Sequence, residues 1–449
     1  MTNETITNKV MNKTIYVIIF LVPLLMLPSQ LEAIPSNILK YIVLLVCGTI
    51  LLVTLFLKRK ELKFDLIDKT LIAFYIFIVI STIFSMDILK SILGEYNRFE
   101  GLLTFTVYFL TYYCGKYYFK YDKQLKLFAI ITICITSIIG ILQYYNIYPV
   151  YYLYDLLNIE YRAGFASSTF GNTNFFGSFL SMAVTILMAL YIVKNKKVYL
   201  ITSYLAFYIL ILTMTRSAWV GFLVASIFGI IYVIKNRNKE IIKRTLYVII
   251  GFVLIFVWIL FTPSFITDSL PDYSKMMSLS NRLGLINSEI QTAINDGELK
   301  DTFGSGRIEI WSMVLKVIAM KPMLGSGPDT LARSLLYNVP ADAIEYIERT
   351  NTYVDKAHNE YLQIAATIGI PALIIYLAFL AQILTKQSDM FKNSATFILL
   401  IPIIAYLVQA FFNISTIGVA PIFWFLLGLI QNEDFKNKLS FQPLLKDKT

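Results

Sequence analysis

The chain has a single histidine, His358, in 449 residues. It stands in Asp355-Lys356-Ala357-His358-Asn359-Glu360-Tyr361, where a long polar stretch gives way to an apolar run. Asp355 has the right type and position to cap a helix starting there, which places His358 in the first turn. The positive end of that helix favours the uncharged imidazole. A neutral imidazole can accept the proton of a hydroxyl at ambient pH; an interfacial histidine without a chemical role is the plainer alternative. Arg216 lies in Thr213-Met214-Thr215-Arg216-Ser217-Ala218-Trp219, between two apolar runs with almost no loop. The run from Val198 to Met214 makes roughly 25 Å of helix, so the guanidinium sits at headgroup depth. There it is either a snorkelling anchor or a ligand for an anionic group. Arg307, in Gly304-Ser305-Gly306-Arg307-Ile308-Glu309-Ile310-Trp311, opens an apolar helix; as an isolated residue it is an ordinary surface charge. Arg98 and Arg162 are further arginines at the same face.

Several chemistries lack their residues. There is no Asp-x-Asp pair, no Walker loop and no Gly-x-Ser-x-Gly. Gly325-Ser326-Gly327 is too short for a phosphate loop and suits an interhelical turn. Cys47, Cys114 and Cys134 all lie in apolar runs, where packing explains them, and no Cys/His spacing fits a metal site. No cofactor and no metal is therefore expected.

The elements that must position these residues are membrane helices. The chain is 57% hydrophobic and only 15% charged, with mean hydropathy +0.66. A soluble fold cannot hide that much apolar surface, so lipid must act as solvent. The apolar runs are long and continuous, which argues for helices over an alternating barrel pattern. We expect an all-α integral membrane protein with about twelve spans, at 15–28, 38–57, 70–85, 101–119, 125–147, 175–193, 198–215, 218–234, 245–262, 360–384, 395–412 and 416–431. The first is expected to remain as a helix, since the candidate cleavage site Leu31-Glu32-Ala33 lacks the small first residue. With the amino terminus inside, 25 of the 39 Lys and Arg fall on inner segments or the inner ends of the spans beside them. Short outer loops are nearly free of them, so both termini are expected in the cytoplasm. The net charge of +10 then faces anionic lipid, not nucleic acid.

One outer connection, 263–357, is far longer than the rest. It divides the chain into transmembrane helices at 1–262, an extracytoplasmic loop at 263–357, and three further spans with a cytoplasmic tail at 358–449. The loop is not low-complexity. Leu283, Ile286, Ile290 and Ala293 space as an amphipathic helix over 281–296. A more apolar helix is expected over 307–320, ended by Lys321-Pro322, with short helices at 328–337 and 341–349. An ordered outer subdomain of this size usually carries function.

With these elements in place, the motifs resemble the O-antigen ligase and polymerase family. His358-Asn359, nine residues, then Gly369-Ile370-Pro371-Ala372 is similar to that family's His-Asn followed by Gly-x-x-Gly; Ala372 departs from it. Arg216 in Thr-Arg-Ser looks like the family arginine after a membrane helix. Arg307, followed by Trp311 and Pro322-Met323-Leu324-Gly325-Ser326-Gly327, looks like the second arginine with its trailing turn. Gly171-Asn172-Thr173-Asn174 resembles the Asn-rich outer turn. The likeness runs from about residue 90 to 430. It implies a plasma-membrane glycosyltransferase with an extracytoplasmic site, moving a glycan from a polyprenyl diphosphate to a glycan, lipid or protein acceptor, as ligase, polymerase or protein O-oligosaccharyltransferase. In that frame His358, Arg216 and Arg307 are catalytic, while Arg98, Arg162, Asn172, Asn174 and Asn359 bind substrate. Two arginines suit a diphosphate because each fork gives bidentate, charge-assisted hydrogen bonds. The non-enzyme alternative is a transporter or flippase for a lipid-linked sugar. Transporters bind at the bilayer midplane, whereas these residues gather on the outer face.

Overall fold

The computed structural model describes residues 3–26, 37–145, 147, 166–261, 278–296 and 306–440. Arg162 and the candidate cleavage site at Leu31-Glu32-Ala33 lie outside them. All regular structure among the described residues is helical. Among the described residues six helices are long and apolar enough to cross a membrane: α2 (Ile38–Leu57), α3 (Leu66–Ile83), α6 (Lys123–Tyr144), α7 (Thr173–Lys194), α9 (Arg216–Asn236) and α10 (Lys239–Leu260). Shorter apolar helices accompany them: α8 (Lys197–Leu212), α16 (Ile370–Lys386), α17 (Ser394–Ala410) and α18 (Ala420–Leu429). The chain opens with α1 (Asn3–Tyr16), and a short α4 (Ile88–Leu93) precedes α5 (Leu102–Tyr113).

Burial follows residue size and polarity along each helix. The window of α7 is 83% buried and that of α10 only 17%. α7 packs against α8, α9 and α17. Its face carries Ser178 and Ser181, small polar residues that let backbones approach and then hydrogen-bond across helices. Ser178 Oγ donates to Gln409 Oε1 at 2.7 Å, and Asn413 Nδ2 donates to Ser178 Oγ at 2.8 Å and to the Asn174 carbonyl at 3.0 Å. This knot fixes the Asn-rich end of α7 against the end of α17. α10 instead turns Leu246, Ile250, Val253, Leu254 and Val257 outward, as a lipid-facing helix should.

The long connection holds α11 (Leu279–Asp296), α12 (Arg307–Met320), α13 (Leu331–Asn338) and α14 (Pro340–Thr350). It has its own small core, in which Ile310, Val314, Val317, Leu331, Leu335 and Tyr346 pack together. The four helices expected there are present. The residues expected as a tenth span are not one helix: α15 (Glu360–Thr367) stops, and α16 starts afresh at Ile370. Gly369 makes the break at φ +109°, where a Cβ would meet the Met323 carbonyl oxygen at 2.2 Å. The broken ends are satisfied by the turn around Gly325-Ser326-Gly327. Gly327 N donates to the Thr367 carbonyl at 2.8 Å, Ser326 N to the Ala366 carbonyl at 3.0 Å, and Ile370 N to the Pro322 carbonyl at 2.8 Å. The short glycine turn is thus a backbone plug for a helix break, which answers the rule that buried amides and carbonyls find partners. A final short helix, α19 (Glu433–Ser440), ends the described chain.

Candidate active site

His358 is not in a helix. The N-cap of α15 is Asn359, whose Oδ1 accepts from Tyr361 N and Leu362 N at 3.0 Å each. The expected cap, Asp355, instead takes the Arg98 guanidinium at 2.5 Å. The reason is sterically plain: His358 adopts φ +48°, a left-handed turn that no helical first turn contains. Such a conformation in a non-glycine residue costs about 1 kcal/mol or more and persists only when its surroundings impose it. Here both flanks are pinned. Ala357 N donates to Gln363 Oε1 at 2.8 Å, and the Ala357 carbonyl accepts from Trp311 Nε1 at 3.0 Å.

Two residues earlier, Lys356 is fully enclosed and bonds Asp329 at 2.6 Å and Glu100 at 2.9 Å. Asp329 Oδ2 also accepts from the backbone amides of Glu95 and Glu100, at 2.7 and 3.0 Å. Burial works against both charges. The surrounding acids nevertheless hold the Lys356 ammonium above its ordinary value, and Lys356 with those amides holds the Asp329 carboxyl below its own. A buried triad of this kind locks position more than it adds stability. It ties the segment bearing His358 to the turn that leads into α5.

Arg216 and Arg307 occupy equivalent places, each the first residue of its helix. Helix amino termini carry partial positive charge and unpaired N–H groups, so each arginine adds to a field that already favours anions. Arg216 follows Thr215, whose Oγ1 donates to the Thr173 carbonyl at 3.0 Å; the Asn172–Asn174 turn therefore lies beside it. Arg307 Nε donates to the Phe412 carbonyl at 3.1 Å, and Trp311, one turn on, packs edge-on to Phe411 at 5.7 Å. These contacts hold α12 against the end of α17.

The three candidate catalytic residues come from separate elements but share one electrostatic neighbourhood. Burial lowers the Arg307 pKa, and the charges of Arg216 and Arg282 lower it further. His358 is depressed from 6.5 to about 4, first by burial and then by the Arg307 charge; Asp355 opposes this and Arg98 adds to it. The imidazole is therefore neutral at ambient pH. That is the protonation state expected from a helix dipole, reached chiefly through burial.

Other expected site residues are placed less directly. Arg98 sits over the Phe175 ring at 5.5 Å while paired to Asp355, so it borders the site but is engaged. Asn359 is buried and spends its side chain on the cap. Asn172 Oδ1 likewise caps α7 through Asn174 N at 2.8 Å. Two residues were missed by sequence reasoning. Glu289 on α11 accepts both terminal nitrogens of Arg216, at 2.7 and 2.8 Å, and Arg282 lies in the field of Arg216 and Glu289. They are seven residues apart on a helix, hence on one face. That spacing was legible, although nothing in the sequence tied it to Arg216. An apolar cavity of about 150 Å³, lined among others by Ile186, Leu190, Pro402 and Leu426, contains none of these groups.

Two comparisons with known proteins bear on the chain as a whole. Residues 201–377 match the family model described as O-antigen ligase. A ComP-specific O-oligosaccharyltransferase of Acinetobacter baylyi is 24% identical over 418 residues, spanning 89% of this chain and 68% of that protein. Arg216, Arg307 and His358 all fall inside the matched segment, and both comparisons show a chain similar to the O-antigen ligase family and to glycosyl-transferring membrane enzymes.

Proposed function

We propose that this protein transfers a glycan from a polyprenyl diphosphate to an acceptor hydroxyl, without metal and with inversion. What supports it is that Arg216 and Arg307 each open a helix, that the charge of Arg216 acts on Arg307, and that the charge of Arg307 acts on the one histidine. The arginines grip the diphosphate. His358 takes the proton of the acceptor hydroxyl as its oxygen attacks the anomeric carbon. A new carbon–oxygen bond forms there, and the bond to the phosphate oxygen breaks. Its electron pair leaves on the polyprenyl diphosphate, where the guanidinium groups stabilise the charge as it develops. The products are the glycosylated acceptor, inverted at that carbon, and free polyprenyl diphosphate.

In this reading the chain crosses the membrane about twelve times with both termini in the cytoplasm. The 263–357 loop and the site then lie outside, and the lipid tail enters between helices from the outer leaflet. The acceptor is a surface glycan or glycolipid. The A. baylyi relative's name favours a second reading of the same chemistry, in which the acceptor is a protein hydroxyl. Purified full-length protein, given lipid-linked glycan and acceptor, should form a new covalent glycosidic linkage, which a transporter cannot do. The His358→Ala protein should turn over ~10²–10⁴-fold more slowly while donor binding persists. Undiminished turnover in that variant would remove the mechanism, since no second histidine exists to replace it.

A further inference from the structure

The region around Arg216 holds more positive charge than two arginines supply. The charge of Arg216 acts on both Arg282 and Arg307, that of Arg282 acts on Arg307, and Glu289 is the carboxylate acting on Arg282 and Arg307 alike. The Nε atoms of Arg216 and Arg282 are both buried without a hydrogen-bond partner. Glu289 meets Arg216 fork to fork, a bidentate geometry that a phosphate oxygen pair also satisfies. Three guanidinium groups and one carboxylate leave two positive charges. A diphosphate esterified at both ends, as in a lipid-linked glycan, carries two negative ones. Arg282 is also held in place: Leu279 is buried in the main core and Leu283 packs against it, so the first turn of α11 cannot swing away freely.

We infer that Arg282 is a third ligand of the donor diphosphate, and that Glu289 occupies in the substrate-free protein the place of one phosphate on Arg216. This rests on the diphosphate reading of the site. Donor binding then exchanges one bidentate anion on Arg216 for another and engages the unpartnered Nε of Arg282. α11 becomes part of the donor site, which explains why an amphipathic loop helix docks at that point.

The test uses inorganic pyrophosphate as probe, titrated into the detergent-purified full chain, with thermal unfolding of each variant as a check on folding. Arg282→Gln should weaken pyrophosphate binding about tenfold or more, the worth of one desolvated charge-assisted contact. Arg282→Lys should recover part of that loss. Glu289→Gln, nearly isosteric, should tighten binding, because the competing carboxylate charge is gone. Arg333→Gln, which breaks only an exposed ion pair with Asp87, should change nothing. Wild-type affinity in Arg282→Gln, or weaker binding in Glu289→Gln, overturns the inference and leaves Glu289 a mere clamp on Arg216. If Arg216→Gln and Arg307→Gln weaken pyrophosphate binding while Arg282→Gln does not, only this inference falls. If none of the three matters, the diphosphate reading falls with it.

Discussion

The lone histidine makes one quantity unusually measurable. With a histidine-free affinity tag and ¹³C-labelled histidine, the protein gives a single imidazole resonance, so its titration belongs to His358 without assignment. Burial, then the Arg307 charge, brings it from 6.5 to about 4. A group that binds its proton less well when folded makes the unfolded state the better proton acceptor between those two values. Stability is then complete above pH 6.5 and declines as pH falls towards 4, by ~1.4 kcal/mol per pH unit and about 3 kcal/mol in all. His358→Gln should abolish that part of the acid sensitivity. The kcat/KM profile should show no acid limb near 6.5, because the base is already competent above pH 5. Arg307→Gln should move the resonance upward but short of 6.5, since burial is the larger cause and remains. Asp355→Asn should move it further down. A resonance that titrates near 6.5 in the unmodified protein, or that ignores Arg307→Gln, refutes both the burial and the adjacency.

Three other outcomes follow from the same geometry. Arg307→Lys keeps the charge but loses the fork, and should lower kcat/KM by about 10²-fold in the transfer assay. Lys356→Met leaves Asp329 and Glu100 buried without their counter-charge and should cost ~3–5 kcal/mol in thermal or denaturant unfolding; a loss under 1 kcal/mol would mean that water reaches the triad. In a Cys134→Ser background, a cysteine at exposed Thr352 should react with impermeant thiol reagent in intact cells, and one at exposed Lys196 should not; the reverse pattern inverts the topology.

Local patterns were legible where local chemistry decides. The amino terminus of α12 at Arg307 and its end before Pro322 follow from a glycine-rich entry and a proline stop, and the structure places the helix at Arg307–Met320. Cys47 and Cys114 are buried in packed helices as apolar residues. The helix break had a local signal that the apolar run outweighed: Gly369 is followed by Pro371, which has no N–H to bond the Thr367 carbonyl, and the backbone of residues 322–327, docked from elsewhere, satisfies the ends so left. What failed elsewhere had a non-local cause. Asp355 lost its expected capping role to an ion pair with Arg98, which is 257 positions away in sequence. The Lys356, Asp329 and Glu100 triad joins three remote positions with no shared motif, so no reading of periodicity finds it.

The proposed mechanism also couples donor and base through charge. The field of Arg307 helps to keep His358 neutral, but it also makes the imidazole a weak base, far from the value that best serves proton transfer near pH 7. A diphosphate on Arg307 brings opposite charge to the same place. It offsets the field acting on His358 and leaves burial as the main restraint, so the histidine binds a proton more readily once donor is present. The base is then strongest when there is a glycan to transfer. An acceptor hydroxyl or water that arrives first meets a poor base and no electrophile. Ordered chemistry of this kind needs no moving lid: it requires only that the residue gripping the diphosphate be the one whose charge the histidine feels, and in the proposed mechanism both duties fall to Arg307.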